Sequence, residues 1–221
     1  CWISEAEAVA DLPKALSDMD QPSVDGINTW FVSKHTAARG LKVVVSGVGG
    51  DELFGGYSHF SHLPQWSRRV QRLSQFPGVL PLIGWGLSLG SRFGLVHSKA
   101  AALTRLGPDL AGLYLVRRGL FMPWELPAVL DGDLVREGLE QLQPPYFLSD
   151  PRSNKGFFVG QSEAVKSYAT IAALEANNYL RNQLLRDSDW ASMAHSLELR
   201  TPLVDFQLLR DLAQCWSLLG R

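Results

Sequence analysis

From Glu5 to Asp20 apolar positions recur at helical spacing, and "DQPSVDGIN" breaks the pattern with proline and turn formers before "TWFVSKHTAARG" restarts a helix. Gly40 is placed to cap the C-terminal end of that second helix. The period then changes. "LKVVVSG" is a short, β-branched run with glycine on either side, which predicts a buried strand. Helix, strand and glycine turn in this order predict an α/β fold, a parallel sheet with crossover helices, in which ligands bind beyond the carboxyl ends of the strands. The loop that starts at Ser46 lies at such an end.

Residues 64–150 are rich in Leu, Pro, Gly and Arg and offer helical stretches without another strand, so an all-helical subregion is expected. Within it, "LSQFPGVLPLIGWGLSLGS", residues 73–91, carries no charge and is flanked by arginines. Pro77, Pro81 and four glycines interrupt it, which argues for a buried helix with a loop rather than a membrane span. "YFLSDPRSNKGFF" reads as a mobile loop. From Val165 to Asp187 helical spacing returns: Val165, Tyr168, Ala172, Tyr179, Leu180 and Leu184 can share one face, with Glu175 on or beside it. Phe54 and Tyr57 read as core residues of a helix after the glycine loop. The expected division is an α/β part over 1–63, a helical subregion over 64–158 and a C-terminal helical region over 159–221.

Composition narrows the partners. With 221 residues, 46% of them hydrophobic, the chain can bury a globular core. Its 21 basic and 22 acidic residues leave a net charge of −1, so no overall field gathers nucleic acid or an anionic membrane. Cys1 and Cys215 show no metal or redox spacing, which suits a reducing, cytoplasmic compartment. The chain starts without methionine and shows no secretory leader, and it reads as a piece of a longer protein.

The richest chemistry is in "KVVVSGVGGDELFGGYSHF", residues 42–60. Gly47, Gly49 and Gly50 permit backbone conformations in which successive N–H groups point into one concavity, an arrangement that binds oxyanions. A helix starting near Asp51 would add unpaired donors at its N-terminus. Asp51 and Glu52 would repel a phosphate unless a cation such as Mg²⁺ lay between. The plainer alternative is a well-capped helix after a turn, since Asp and Glu favour first-turn positions. Neither the Gly-Lys-Ser/Thr phosphate loop nor the GxGxxG fingerprint is present.

"SGVGGDELFGGY" resembles the second nucleotide-binding segment of the glutamine-dependent asparagine synthetases, written SGxGxDExFGGY. "LLRDSDWASMAHSLELRTPLVD", residues 184–205, is similar to that family's C-terminal signature ending in SLExRxPxLD, and "DMDQPSVDGINTWFVSKHTAARGLKVVVSG" is similar to its lead-in. The resemblance covers residues 5–70 and 160–210, while the middle matches only in character. It implies a Rossmann-like ATP pyrophosphatase fold of the adenine nucleotide alpha hydrolase type. It further implies that a carboxylate attacks the α-phosphate of Mg-ATP to give an acyl-adenylate and pyrophosphate, and that ammonia from an N-terminal glutaminase domain displaces AMP. The acceptor would be aspartate or another carboxylate, and a homodimer is compatible with it. Carried over, Ser46, Gly47, Gly49 and Gly50 would contact ATP, and Asp51 with Glu52 would serve catalysis at the Mg²⁺–pyrophosphate end, Asp51 as metal ligand. The family's SGGxDS loop would lie before residue 1, and the lysine segment after the signature is absent. Val48 stands where the family often carries glutamate, which leaves the acceptor acid open and keeps a β-lactam synthetase-like enzyme or a noncatalytic module as alternatives.

Other chemistry-bearing residues have plainer roles. Glu198 and Arg200 read as a structural pair, and Asp205 as a cap for a following helix. Asp187 and Asp189 lie nearer to substrate on this reading. His59 and His62, at i and i+3, lack a third metal ligand. His195 reads as a buried, hydrogen-bonded helix residue, and Lys155 as exposed.

Overall fold

The computed structural model of the protein describes residues 2–23, 25–142 and 162–219. The loop reading of 146–158, with Lys155, lies outside the described residues. The elements run α1 (Glu5–Asp18), α2 (Asp25–Ala37), β1 (Val43–Val45), α3 (Gly50–Phe54), α4 (His59–Ser74), α5 (Val79–Arg92), α6 (Ala102–Arg105), α7 (Leu110–Arg118) and α8 (Gly132–Leu142). After these come α9 (Glu163–Leu174), a π-helical stretch (Glu175–Leu184), α10 (Leu185–Met193), β2 (Glu198–Arg200) and α11 (Phe206–Leu219). Contacts gather these into two units, one of Cys1–Phe54 with Glu175–Gln214 and one of Gly55–Leu174 with Cys215–Arg221.

The first unit is built on α1, α2 and α10, whose Ala15, Trp30, Phe31, Trp190 and Ala191 form its apolar cluster. Ser4 caps α1 by accepting from the Glu7 N–H. The Trp30 indole donates to Asp18 at 2.9 Å, so the bulkiest core side chain leaves no polar atom unanswered. At Gly26 the helices come so close that a Cβ would stand 2.4 Å from the Trp190 ring, which only glycine allows. Asp187, buried beneath the same ring, accepts from the Ser23 hydroxyl at 2.5 Å and the Trp190 indole at 3.1 Å. It is therefore a packing and hydrogen-bonding residue of the α2–α10 contact. Asp189, two positions on, is exposed.

β1 and β2 pair in parallel, Val43 opposite Glu198, Val44 opposite Leu199 and Val45 opposite Arg200. The parallel sheet is thus present, but the expected burial of β1 is not: Val45 is 73% exposed and Val43 41%. Among the described residues β2 is the one strand beside it, so the valines are not sandwiched. Within the expected C-terminal helical region, Glu198 and Arg200 lie on a strand. Ser196, at φ 51°, turns the chain out of α10 and into β2. "LELR" alternates inward Leu197 and Leu199 with outward Glu198 and Arg200, a period of two too short to stand out beside the helix before it.

The second unit is helical throughout its described residues. Leu63 of α4, Leu113 and Tyr114 of α7, and Ile171 and Leu174 of α9 form its main core, and Ala102, Val116 and Met122 a smaller one. Asp109 caps α7, accepting from the Gly112 N–H at 3.0 Å. Residues 79–92 form the helix expected there, but it is not buried: α5 has no buried residue. Its sequence is apolar all round, so Leu80, Ile83 and Leu87 turn partly inward while Leu82, Trp85 and Leu89 are left facing out. No helix among the described residues is long and apolar enough to cross a membrane.

Two further expectations change. The face drawn from Val165 to Leu184 presumed one winding, yet the chain passes from α9 into ten residues of π-helix, whose wider turn moves later side chains out of phase. Phe54 is 51% exposed because α3 stops there and Gly55, at φ +71°, redirects the chain. Tyr57 falls in the following turn, half-buried, with the Arg118 guanidinium 4.7 Å above its ring.

Candidate functional site

The glycine loop leaves β1 at its carboxyl end and is fixed there by β2. The Ser46 N–H donates to the Arg200 carbonyl at 2.8 Å, extending the ladder by one bond. The loop then folds upon itself: the Val48 N–H donates to Ser46 Oγ at 3.2 Å, and the Gly50 N–H to the Gly47 carbonyl at 3.1 Å. Those two donors are therefore engaged inside the loop, while the N–H groups of Gly47 and Gly49 have no acceptor among the described residues. The expected row of convergent donors is in fact divided. With its lone pair on Val48 N–H, Ser46 keeps its own hydroxyl proton to donate.

The three glycines differ in what requires them. Gly49 has φ +96°, and a Cβ there would meet Val204 Cγ2 at 2.9 Å and the Leu203 carbonyl oxygen at 3.0 Å. A Cβ at Gly50 would come within 3.2 Å of Leu203. These two are glycines because the segment Pro202–Val204 packs directly on the loop. At Gly47 a Cβ would meet nothing within 4 Å, so this position faces open space. The supporting role of Leu203 and Val204 was missed in the sequence: "TPLVD" stands out as a motif, but nothing in its spacing says that it lies under the glycine loop.

The two carboxylates part company. Asp51 is exposed and has no ion-pair partner among the described residues, whereas Glu52 is 3% exposed and engaged with other residues. Consecutive positions on a helix point about 100° apart, so α3 cannot aim both outward. At five residues it is also too short for a large dipole. Among the described residues no three His, Cys, Asp or Glu gather as a metal site. What the loop offers a cation is one exposed carboxylate, which suits Mg²⁺ arriving with phosphate ligands rather than a protein cage.

The remaining expectations sort by geometry. Arg200 donates to Glu198 at 2.8 Å, both side chains exposed, so the expected pair forms on the strand surface. Asp205 caps α11, accepting from the Leu208 N–H at 2.8 Å. His59 is buried and stacked on Tyr57 while His62 is exposed beside Trp66, so the two do not converge. His195 lies in the turn after α10, half-buried, its ring 4.5 Å from that of Trp30 and its Nε2 buried without a hydrogen-bond partner among the described residues. The expected buried helix residue is corrected to a half-buried turn residue, whose backbone N–H donates to the Ser192 carbonyl at 3.0 Å. Burial pushes its pKa down, with Asp18 opposing.

Comparison with known proteins agrees with the two segments that the sheet joins. The asparagine synthase family model matches residues 1–215. Asparagine synthetase [glutamine-hydrolyzing] 1 of Bacillus subtilis is 26% identical over 208 residues, covering 92% of this chain and 29% of that protein. The putative asparagine synthetase [glutamine-hydrolyzing] of Mycobacterium tuberculosis is 29% identical over 209 residues, covering 92% of this chain and 28% of that protein. This chain thus spans less than a third of the length of the curated relatives it matches. No solved structure matches. With the family model spanning both the glycine loop and the strand that anchors it, the chain belongs to the asparagine synthase family.

Proposed function

We propose that this chain is the larger part of a synthetase domain with the ATP pyrophosphatase fold, and that the full-length protein is an ATP-dependent amide-forming ligase. The observation that supports this best is the junction of two motifs more than 150 residues apart. β1 leads into "SGVGGDE", β2 leads into "TPLVD", and the Pro202–Val204 segment is the floor against which Gly49 and Gly50 close. A loop so held keeps its geometry when a charged ligand arrives, and this preorganisation is where electrostatic catalysis originates.

On this reading Ser46 Oγ–H and the Gly47 and Gly49 N–H groups donate to phosphate oxygens. Asp51 would hold Mg²⁺, which when bound with ATP neutralises phosphate charge. Glu52, turned inward, keeps α3 and its loop in place rather than touching the ion. The reaction is adenylation of a carboxylate, taken as the aspartate side chain, with release of pyrophosphate. Ammonia derived from glutamine then displaces AMP. Val48 cannot carry a proton or charge, so acid–base duty in the amide-forming step falls to a group other than residue 48.

ATP–pyrophosphate exchange by the full-length protein, run over a panel of carboxylic acids, is the test. Aspartate should stimulate exchange, and Asp51→Asn should raise the Mg²⁺ concentration needed while leaving the unfolding midpoint unchanged. Exchange stimulated only by another acid would replace aspartate as substrate. No exchange with any acid would overturn the ligase reading.

A further inference from the structure

The break between α1 and α2, "DQPSVD" at residues 20–25, does more than end one helix and start the next. Each of its polar side chains bonds to the run that leads from the π-helical stretch into α10. Asp20 accepts from Arg186 Nε at 2.7 Å, the Gln21 amide donates to the Asn182 carbonyl at 3.0 Å, and the Ser23 hydroxyl donates to Asp187 at 2.5 Å. Asp25 receives two donors on one oxygen, the Tyr179 hydroxyl at 2.6 Å and the Gln183 amide at 2.8 Å. The segment is a polar strap laid along that helix.

The winding that the strap holds is unusual. A π-helix bonds residues five apart and is found mostly as single turns, often at functional sites, yet here it runs for ten residues. Side chains support it from within and without. Asn182 Nδ2 donates to the Asn177 carbonyl, five residues back, while Asp25 ties Tyr179 to Gln183 and Gln21 takes the Asn182 carbonyl. Leu180 and Glu175 of the stretch are buried, Glu175 completely and in contact with other residues. What the stretch supports in turn is α3, which packs against it on one hand and against Pro202–Val204 on the other. Five residues cannot make a stable helix by themselves, so those two supports decide how α3 faces. Glu52 and Leu53 are thereby buried and Asp51 is left exposed.

We infer that Asp25 is a positioning residue for the adenylation site. Through Tyr179 and Gln183 it keeps the π-helical stretch in phase, and through that stretch it fixes where α3 presents Asp51. The inference rests on the ligase reading for what Asp51 does, and on the fold alone for what Asp25 holds. A plainer role is also open to Asp25, since a carboxylate in the first turn of α2 favours that helix by its charge. The two roles separate chemically. Asparagine removes the charge but keeps an oxygen with two lone pairs, enough for both donors, whereas alanine removes everything.

Hydrogen–deuterium exchange of the full-length protein tests the hold on α3. The Leu53 N–H, bonded to the Gly49 carbonyl at 3.1 Å, reports on that helix. Asp25→Ala should speed exchange in the peptide spanning residues 46–54 about fivefold, as the loss of one hydrogen bond supports, and leave α4 and α7 at wild-type rates. Asp25→Asn should restore wild-type protection. Asp20→Asn, which weakens the Arg186 contact in α10 and touches no residue of the π-helical stretch, should leave residues 46–54 unchanged. The Mg²⁺ dependence of ATP–pyrophosphate exchange tests the consequence for the site. Asp25→Ala should raise the Mg²⁺ concentration for half-maximal rate about fivefold, more than it lowers the maximal rate, and Asp25→Asn should not. Unchanged protection of residues 46–54 in Asp25→Ala, equal loss of protection in every peptide, an asparagine variant as impaired as the alanine variant, or an unchanged Mg²⁺ requirement would each overturn the inference and leave the ligase reading standing. A wild-type protein that exchanges no pyrophosphate would sink the ligase reading instead, a result that the deuterium measurement does not depend on.

Discussion

The two units treat their polar side chains in opposite ways. In the first, Asp187 is answered by Ser23 and Trp190, Asp18 by Trp30 and Lys14, and Lys34 by Asp11 and Glu7. Gly26 and Gly49 stand where a Cβ would come within 3 Å of Trp190 and of Val204. In the helical unit the main core is aliphatic and aromatic, and the arginines of α4 and α5 meet no carboxylate among the described residues. Geometry in the first unit depends on particular residues at particular places, whereas a helical core needs chiefly apolar groups of suitable volume. This is a physical reason why the motifs legible in the sequence lie in the first unit, while the helical unit offers none.

Substitution in the helical core should break that comparison most forcefully if it is wrong. Leu113 is fully buried in α7. Leu113→Ala should cost about 2–5 kcal/mol by leaving a cavity, and Leu113→Met less than about 1.5 kcal/mol by keeping the volume. Urea unfolding of the full-length protein measures both. If the methionine variant is as damaged as the alanine variant, the helical core is as particular as the first unit.

The loop glycines sharpen the other side. Gly49→Ala must place a Cβ at positive φ against Val204 and Leu203, at a cost of about 2–4 kcal/mol. Gly47→Ala meets nothing and should change stability by no more than about 0.5 kcal/mol. It should still lower ATP–pyrophosphate exchange if Gly47 faces nucleotide. An equal loss of stability in both variants would mean that the two positions are not distinguished by Pro202–Val204.

How much of this was legible follows from the same contrast. The β-branched run before "SGVGG" announced a strand, and the glycines announced a turn, because each has a strong local cause. The exposure of β1 was not legible, since burial depends on what lies on either side of a strand and not on its own residues. β2 was missed because three residues give almost no periodicity. The opposite fates of Asp51 and Glu52 follow from a helix only five residues long, and sequence located its start but not its facing. In the helical unit, α5 was found and its burial misjudged, for an apolar-all-round sequence states what a helix tolerates and not which face a neighbour covers.

His195 tests the same distinction by pH. Its lowered pKa means that the folded protein holds it neutral while the unfolded chain titrates at the ordinary value of 6.5. As pH falls from that value through the lowered folded one, the unfolded state binds the extra proton and stability declines. Asp18 behaves in a separate window. Burial alone would raise its pKa, but hydrogen bonds from Lys14 and Trp30 hold it below the ordinary 3.8, so its contribution is lost only as pH drops beneath that value. His195→Phe should abolish the first decline and leave the second. A urea midpoint whose fall below pH 6.5 survives the substitution would assign it to another group.

The smallest effect expected is at the strand surface. Glu198 and Arg200 form a 2.8 Å ion pair with side chains 58% and 64% exposed. Water screens both charges, and holding two long side chains in one geometry costs entropy, so Arg200→Gln should change stability by only about 0.2–0.5 kcal/mol. The Arg200 backbone carbonyl, by contrast, receives the Ser46 N–H and anchors the glycine loop whatever side chain residue 200 carries. Exchange activity should therefore survive Arg200→Gln at near wild-type rate. A large loss of exchange with little loss of stability would instead make the guanidinium part of the site and this motif arginine more than scaffold.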